Sequence, residues 1–272
     1  MEKKFILITG STDGIGYQTA IDLAKSGNHV IVHGRNQEKA ELAMRKIEEV
    51  TNSYNLSYVY ADLGSFSQIK EMVSDLYKRF DKLDVLINNA GIIRPERTVN
   101  QEGLEETFAI NYVAPFLLTN LLLDLLKKGT SSRIVNVVSR VQSNQLYTED
   151  LQLEKEYTAV KAYAKSKTAL IMFTYLLAKK FCNQDITVNC LHPGVINTKL
   201  LRTAFGAGGL SLAEGSKTLV FAATAPELEK VTGKYFVNNR SVSSKEITYD
   251  IEVQKTLWKK TEEILGLAKL FR

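Results

Sequence analysis

Tyr163 and Lys167 stand four residues apart in the segment YAKSK, within a stretch that reads as one long amphipathic helix. That spacing puts a phenol and an ammonium on one helical face, a turn apart. A phenol releases its proton only near pH ~10, so it is a poor acid–base at neutrality unless a fixed positive charge favours the phenolate. Bringing it down to near pH 7 would require ~4 kcal/mol of differential stabilisation. One lysine at a semi-exposed site rarely supplies that much, so a second positive charge, such as an oxidised nicotinamide ring, should sit nearby. Tyrosine and lysine also recur at this spacing on ordinary solvated helices. The pair therefore takes its meaning from what precedes it.

The elements around it alternate. Short β-branched or apolar runs at Phe5–Thr9, Val30–His33, Leu56–Tyr60, Val85–Asn88, Ile134–Val138, Ile186–Cys190 and Tyr235–Val237 read as strands. Amphipathic stretches at Tyr17–Ser26, Gln37–Val50, Ser67–Phe80, Leu104–Lys127, Glu156–Phe181 and Ala213–Ala223 lie between them. Near-continuous hydrophobic strands separated by helices imply a parallel sheet covered on both faces. Right-handed crossovers then give an α/β, doubly wound (Rossmann) sheet of about seven strands within a single domain spanning residues 1–272. One more helix, about 252–266, follows the last strand.

Directly after the first strand comes Thr9-Gly10-Ser11-Thr12-Asp13-Gly14-Ile15-Gly16, leading into a helix. Glycines there permit a tight turn and let backbone N–H groups approach a pyrophosphate at the helix N-terminus. A glycine-rich turn without a ligand is the plainer alternative. The second strand ends in His33-Gly34-Arg35-Asn36, where a carboxylate would often hold a ribose hydroxyl. Arg35 instead offers a planar fork suited to a 2′-phosphate, with Ser11 or Thr12 adding hydroxyl contacts, which favours NADP(H) over NAD(H). A surface arginine ahead of a helix would look the same. In YADL, Asp62 could accept from an adenine amino group, with Leu63 beside it, or could cap the helix that begins near Ser65. Asn88-Asn89-Ala90-Gly91 closes the fourth strand with small and amide residues that let the backbone lie against an adenosine ribose, or forms a plain strand-end turn.

Composition narrows the function classes. The chain has 272 residues with 44% hydrophobic content, enough for one sizeable core. Two cysteines without a C-x-x-C pair and three scattered histidines propose no metal site. Two thiols and no secretory signal suit a reducing cytoplasm. The net charge of +5 is spread among glutamates, as in RKIEEV and KKTEEIL, which argues against nucleic-acid binding. No apolar run reaches the ~20 residues that a transmembrane helix needs.

At this point the chain resembles the short-chain dehydrogenase/reductase family. The matches are TGSTDGIG (9–16), ADL (61–63), NNAG (88–91), Asn111, Ser139, YAKSK (163–167) and HPGVINT (192–198), in the family's order and across almost the whole chain. HGRN and the tail TLWKKTEEILGL look like the retinol dehydrogenase-like branch. The resemblance implies a catalytic tetrad of Asn111, Ser139, Tyr163 and Lys167. Tyr163 would exchange a proton with the carbonyl or alcohol oxygen, and Ser139 would hydrogen-bond that oxygen. Lys167 would lower the tyrosine's pKa and hold the nicotinamide ribose. Pro193, Gly194, Val195 and Thr198 would flank the nicotinamide. Pro115 cannot donate an N–H to the Asn111 carbonyl, so a kink there would free that oxygen for a water in a proton relay.

Residues 199–212, with Gly206, Gly208 and Gly209 among leucines and Phe205, read as a mobile lid whose apolar character predicts a small hydrophobic carbonyl or alcohol substrate. In the family the helices at 104–127 and 156–181 pair across a homodimer or homotetramer; burial within a monomer explains their apolar faces nearly as well. The leading reading is an NADP(H)-dependent oxidoreductase. A non-catalytic sensor of the NADPH pool is the alternative, and the intact tetrad argues against it.

Overall fold

The computed structural model describes residues 3–182, 184–206 and 208–267. Eight strands form one sheet: β1 (Phe5–Ile8), β2 (His29–Gly34), β3 (Leu56–Tyr60), β4 (Val85–Asn88), β5 (Ser132–Val137), β6 (Ile186–His192), β7 (Tyr235–Val237) and β8 (Arg240–Val242). Their spatial order is 3-2-1-4-5-6-7-8. The first seven run parallel, and β8 returns antiparallel to β7. The eighth strand extends the expected sheet. Its hairpin turns at Asn238 and Asn239, both at positive φ (50° and 61°), which asparagine tolerates better than other side-chain-bearing residues.

Alternation along the buried strands sorts side chains to the two faces. Ile6, Ile8, Val30 and Val32 pack with α1 (Gly14–Lys25), α2 (Gln37–Thr51) and α9 (Leu212–Thr224). Leu7 and Ile31 face the opposite layer, built from α3 (Phe66–Arg79), α5 (Ala114–Leu121), α7 (Ala159–Lys180) and α10 (Ile251–Ile264). Strand order reverses about β1, which sits between β2 and β4. In open α/β sheets this reversal opens a crevice at the carboxyl ends of the strands.

The helical stretch expected from 104 to 127, with a kink at Pro115, is broken into pieces. A single turn, α4 (Glu106–Phe108), is capped by the buried Glu105 carboxylate, which accepts from the backbone N–H of Thr107 at 2.8 Å and of Phe108 at 2.7 Å. A π-helical turn, Ala109–Val113, follows, with the Ala114 N–H bonded to the Ala109 carbonyl. Pro115 then lies in the first turn of α5, and α6 (Leu123–Lys127) resumes after a break at Leu122. The widening thus precedes Pro115 and is centred on Asn111.

Helix α10 covers the apolar face that α5 and α7 present. The Trp258 ring lies 4.7 Å from Phe116 and 5.7 Å from Phe173, and the Lys180 ammonium sits 4.7 Å above it. The Tyr112 and Thr261 hydroxyls hydrogen-bond at 2.8 Å beneath. Trp258→Ala is expected to cost about 3 kcal/mol, a fall in Tm of roughly 6–12 °C, measurable by thermal or urea unfolding. A cost below about 1 kcal/mol would mean that α10 adds little to the core. Among the described residues no helix is long and apolar enough to cross a membrane.

Candidate active site

The glycine turn is sewn to the end of β4. Thr9 Oγ1 accepts from the N–H groups of Asn89 (2.9 Å) and Ala90 (3.0 Å), while Asn89 Nδ2 donates to the carbonyls of Thr9 (2.8 Å) and Gly10 (3.1 Å). This closeness explains the glycines. A Cβ on Gly10 would lie 2.9 Å from Ala90 Cα, and one on Gly16 would lie 2.5 Å from the Gly10 carbonyl oxygen. Gly10 also sits at φ +63°. The turn opens onto a cleft of about 670 Å³ that runs along the carboxyl ends of the strands.

Gly10, Thr12, Asp13, Gly14, Ile15, Gly16, Arg35, Asp62, Leu63, Asn89, Ala90, Gly91, Ser139, Tyr163, Lys167, Pro193, Gly194, Val195 and Thr198 line that cleft. Three expected residues are placed otherwise. The fully buried Ser11 hydroxyl donates to the Ile8 carbonyl (2.8 Å) and accepts from the His33 N–H (2.9 Å), so it braces the turn and is not free to contact a phosphate. Asn36 caps α2 by accepting from the Lys39 N–H at 3.0 Å. Asn111 is buried behind the cleft: Nδ2 donates to Ser166 Oγ (3.0 Å) and the Ile92 carbonyl (2.9 Å), and Oδ1 accepts from the Ile92 N–H (2.8 Å). It pins the loop after β4 to α7. Asp62 does not cap α3, a role that Ser65 takes; its Oδ1 accepts from the Gly64 N–H at 2.9 Å.

A buried polar ladder fixes α7 against the sheet. Asn88 Nδ2 donates to Thr119 Oγ1 (3.1 Å) and Asn136 Oδ1 (2.8 Å), and Asn136 Nδ2 donates to Thr174 Oγ1 (2.9 Å). Tyr163 on α7 and Ser139 after β5 are thereby held in register. The serine is braced as well: its Oγ accepts from the Val141 N–H (3.1 Å), and its carbonyl accepts from Gln142 Nε2 (3.0 Å) and the Tyr235 hydroxyl (3.3 Å).

Electrostatics at the pair differs from the sequence expectation. Burial pushes the Tyr163 phenol up to about 12, partly offset by hydrogen bonding with the Ser139 hydroxyl. Burial also lowers Lys167 to about 8. Its Nζ donates to the Val137 carbonyl at 2.9 Å and lies 5.7 Å from the centre of the Tyr163 ring. A lysine that is itself reluctant to carry charge does not overcome the desolvation of its neighbour. The phenol is therefore a protonated acid in the protein alone, and any acidification needs a further cation in the cleft.

The segment expected as a lid carries a short helix. Thr198 caps α8 (Lys199–Phe205), and Leu210 is tied back by Leu210 N–H to Val195 O (2.8 Å) and Asn197 N–H to Leu210 O (3.0 Å). Leu200 and Leu201 line the cleft, and Lys199 pairs with Asp13 across its mouth at 3.0 Å. Both partners are largely exposed, so the pair is a weak clasp. The Phe205 side chain and Ala207 lie outside the described residues.

His33, Lys39, Arg140 and His192 also line the cleft; the two histidines stand in the HGRN and HPGVINT stretches without an assigned role, and Lys39 and Arg140 stand in no motif. His33 Nδ1 accepts from the Gly10 N–H at 3.1 Å, and burial lowers its pKa to about 4. Lys39 follows the Asn36 cap by three residues and so joins Arg35 at the β2 end of the cleft; the N-cap pattern was its only signal.

Residues 4–207 match the family described as short chain dehydrogenase. Among similar proteins, the polyprenol dehydrogenase of Homo sapiens is 39% identical over 279 residues, covering 96% of this chain and 84% of that protein. Retinol dehydrogenase 13 of Mus musculus is 36% identical, covering 97% and 84%. Among solved structures, an uncharacterised protein from Mycobacterium Paratuberculosis superposes with a TM-score of 0.80 at 25% identity, covering 97% of this chain and 93% of that one. A short chain dehydrogenase from Shigella flexneri, complexed with NADP, gives 0.72 at 25% identity, covering 88% and 98%.

Proposed function

The chain belongs to the short chain dehydrogenase family, in its retinol dehydrogenase-like branch, and from that premise we propose that it is an NADP(H)-dependent oxidoreductase interconverting a carbonyl and an alcohol on a hydrophobic small molecule. The observation that carries this reading is the convergence of Tyr163, Ser139 and Lys167, each nearly buried, on one wall of a glycine-rimmed cleft. A nucleotide-binding protein without chemistry has no use for a buried phenol braced by a serine.

The cleft suits a dinucleotide, since it is lined in turn by Arg35 and Lys39, the glycine turn at the α1 N-terminus, and Tyr163 and Lys167. Thr12, Arg35 and Lys39 would hold an adenosine 2′-phosphate, with Asp62 and Leu63 at the adenine. The α1 N-terminus and its glycines would take the pyrophosphate. Asn89, Ala90 and Gly91 would lie along a ribose, Lys167 and Tyr163 would hold the nicotinamide ribose, and Pro193, Gly194, Val195 and Thr198 would hold the carboxamide. When bound, the nicotinamide supplies or accepts the hydride.

The chain's own residues handle the proton. In reduction Tyr163 donates its phenolic proton to the carbonyl oxygen while Ser139 hydrogen-bonds the same oxygen, so hydride plus proton turn the carbonyl into an alcohol. In oxidation both transfers reverse. Lys167 stands where its charge, when carried, steadies the phenolate. The Asn111 carbonyl, on the widened turn ahead of Pro115, would hold by hydrogen bond a water that relays protons between the lysine and solvent. Leu200 and Leu201 favour an apolar substrate body. Free Cys182 and Cys190 suit the reducing cytoplasm, and α10 lying over α5 and α7 favours a monomer over a homodimer or homotetramer built through those helices.

Cofactor choice is testable by paired titration. NADPH is expected to bind more tightly than NADH, and Arg35→Ala with Lys39→Ala is expected to weaken NADPH by about tenfold or more with much less effect on NADH. Equal loss for both cofactors would contradict the 2′-phosphate role. NADPH consumption across a panel of apolar aldehydes and ketones tests the reaction class.

A further inference from the structure

Beyond Ser139 the cleft carries a charge that the oxidoreductase reading does not use. Arg140 is exposed and lines the cleft beside the serine, and no carboxylate pairs with it among the described residues. Asp13 and Lys199 are paired with each other, and Arg35 and Lys39 lie at the other end by the adenosine site. The turn bearing Arg140 is fixed on both sides. Val141 N–H and Gln142 Nε2 bond back to Ser139, and the Lys245 N–H donates to Gln142 Oε1 at 2.9 Å.

His192, at the end of β6, lines the same cleft. The residue is 8% exposed, and its buried Nδ1 has no hydrogen-bond partner among the described residues. Burial, assisted by the charge of Arg140, lowers its pKa to about 4, so it is a neutral hydrogen-bonding group at physiological pH. A buried ring nitrogen without a partner is costly unless something fills that need. The Arg140 guanidinium, carried on this anchored turn, matches a planar, bidentate anion. The surrounding Val141, Ile196, Leu200 and Leu201 are apolar, so the complementary ligand has both characters.

We infer that Arg140 and His192 form a carboxylate subsite beside the reacting carbon, so that the preferred substrate is an apolar carbonyl or alcohol that also bears a carboxylate. The inference rests on the oxidoreductase reading and adds the substrate's second feature. A lone guanidinium with a neutral imidazole suits one carboxylate better than a phosphate, which recruits several cations.

The test uses the full chain with NADPH and two aldehydes of similar size, para-carboxybenzaldehyde and para-methylbenzaldehyde. The wild type is expected to favour the carboxylated aldehyde in kcat/KM. Arg140→Gln is expected to cut that preference by about tenfold or more, chiefly through KM, and Arg140→Lys to retain more of it than the glutamine variant. A preference unchanged in Arg140→Gln, or a wild type that favours the methyl compound, would overturn the subsite and leave the oxidoreductase reading standing. Turnover of neither aldehyde, nor of any other carbonyl in the panel, would instead overturn the reaction class. Calorimetric binding of para-carboxybenzyl alcohol then decides the subsite independently. Weakening by about tenfold or more in Arg140→Gln supports it, and equal binding refutes it.

Discussion

Tyr163→Phe is expected to lower kcat for carbonyl reduction by about 10³-fold, while NADPH binding changes by no more than a few-fold. The substitution removes one oxygen and keeps the ring that fills its place on α7, so Tm should move by only a few degrees. What is lost is the proton that must reach the developing alkoxide. Ser139 remains to hydrogen-bond that oxygen, which accounts for a residual rate above the uncatalysed one. With its phenol held near 12 by burial, Tyr163 keeps its proton through the physiological range, and reduction should not lose its acid until strongly alkaline pH. Steady-state NADPH oxidation by both proteins, beside their melting curves, makes the comparison. A variant with normal Tm and more than about a tenth of the wild-type rate would remove Tyr163 from the proton-transfer step.

The fold was legible where the chain is buried on both faces. Val85, Leu86 and Ile87 are an uninterrupted buried apolar run, and their strand formed where the pattern placed it; β3, a partly exposed edge strand, was legible from its tyrosines and Val59 instead. Strand β8 was not legible, because Arg240, Ser241 and Val242 are exposed and lack alternation, and its cause is an Asn-Asn turn that also reads as loop. The broken helix over 104–127 escaped for a related reason. Hydrophobic periodicity of 3.6 and its local widening to a π-turn differ by one residue, a shift that a run such as FAINYVAPFLL does not betray.

The candidate site was legible as residue types and less so as roles. Glycine spacing pointed to backbone meeting a pyrophosphate; the near-contacts of Gly10 and Gly16 are instead with the protein's own backbone, where the turn packs on the end of β4 and on itself. Ser11 shows the limit: a hydroxyl in a phosphate loop looks available in sequence, yet the turn consumes it between Ile8 and His33. The balance of charge and burial was hidden altogether. Spacing gave the shared face of Tyr163 and Lys167, but only the packing of both side chains shows desolvation winning over their attraction. Arg140 carries no motif signal and His192 only its place at the head of HPGVINT, since their shared surroundings arise where β5 and β6 end side by side.

Lys167 should then show opposite signs for stability and for activity. Its pKa is about 8 in the fold, against ~10.4 for a free lysine, because burial disfavours the ammonium. Below pH 8 the fold must carry a desolvated charge that the unfolded chain carries in water. The cost is complete there and disappears as pH rises from 8 towards the unfolded value. It amounts to about 3 kcal/mol at most, and losing the bond to the Val137 carbonyl returns about 1 kcal/mol or more. Lys167→Met is therefore expected to stabilise the protein by about 1–2 kcal/mol at pH 7 and to lose that gain by about pH 10. The same variant should reduce at least about 10²-fold more slowly, and the wild-type kcat/KM for NADPH should fall as pH rises through 8. Urea unfolding at the two pH values, with a rate profile beside it, separates the effects. A methionine variant less stable than wild type at pH 7 would show that the ammonium is satisfied within the empty fold, contrary to a charge retained at a cost for the chemistry.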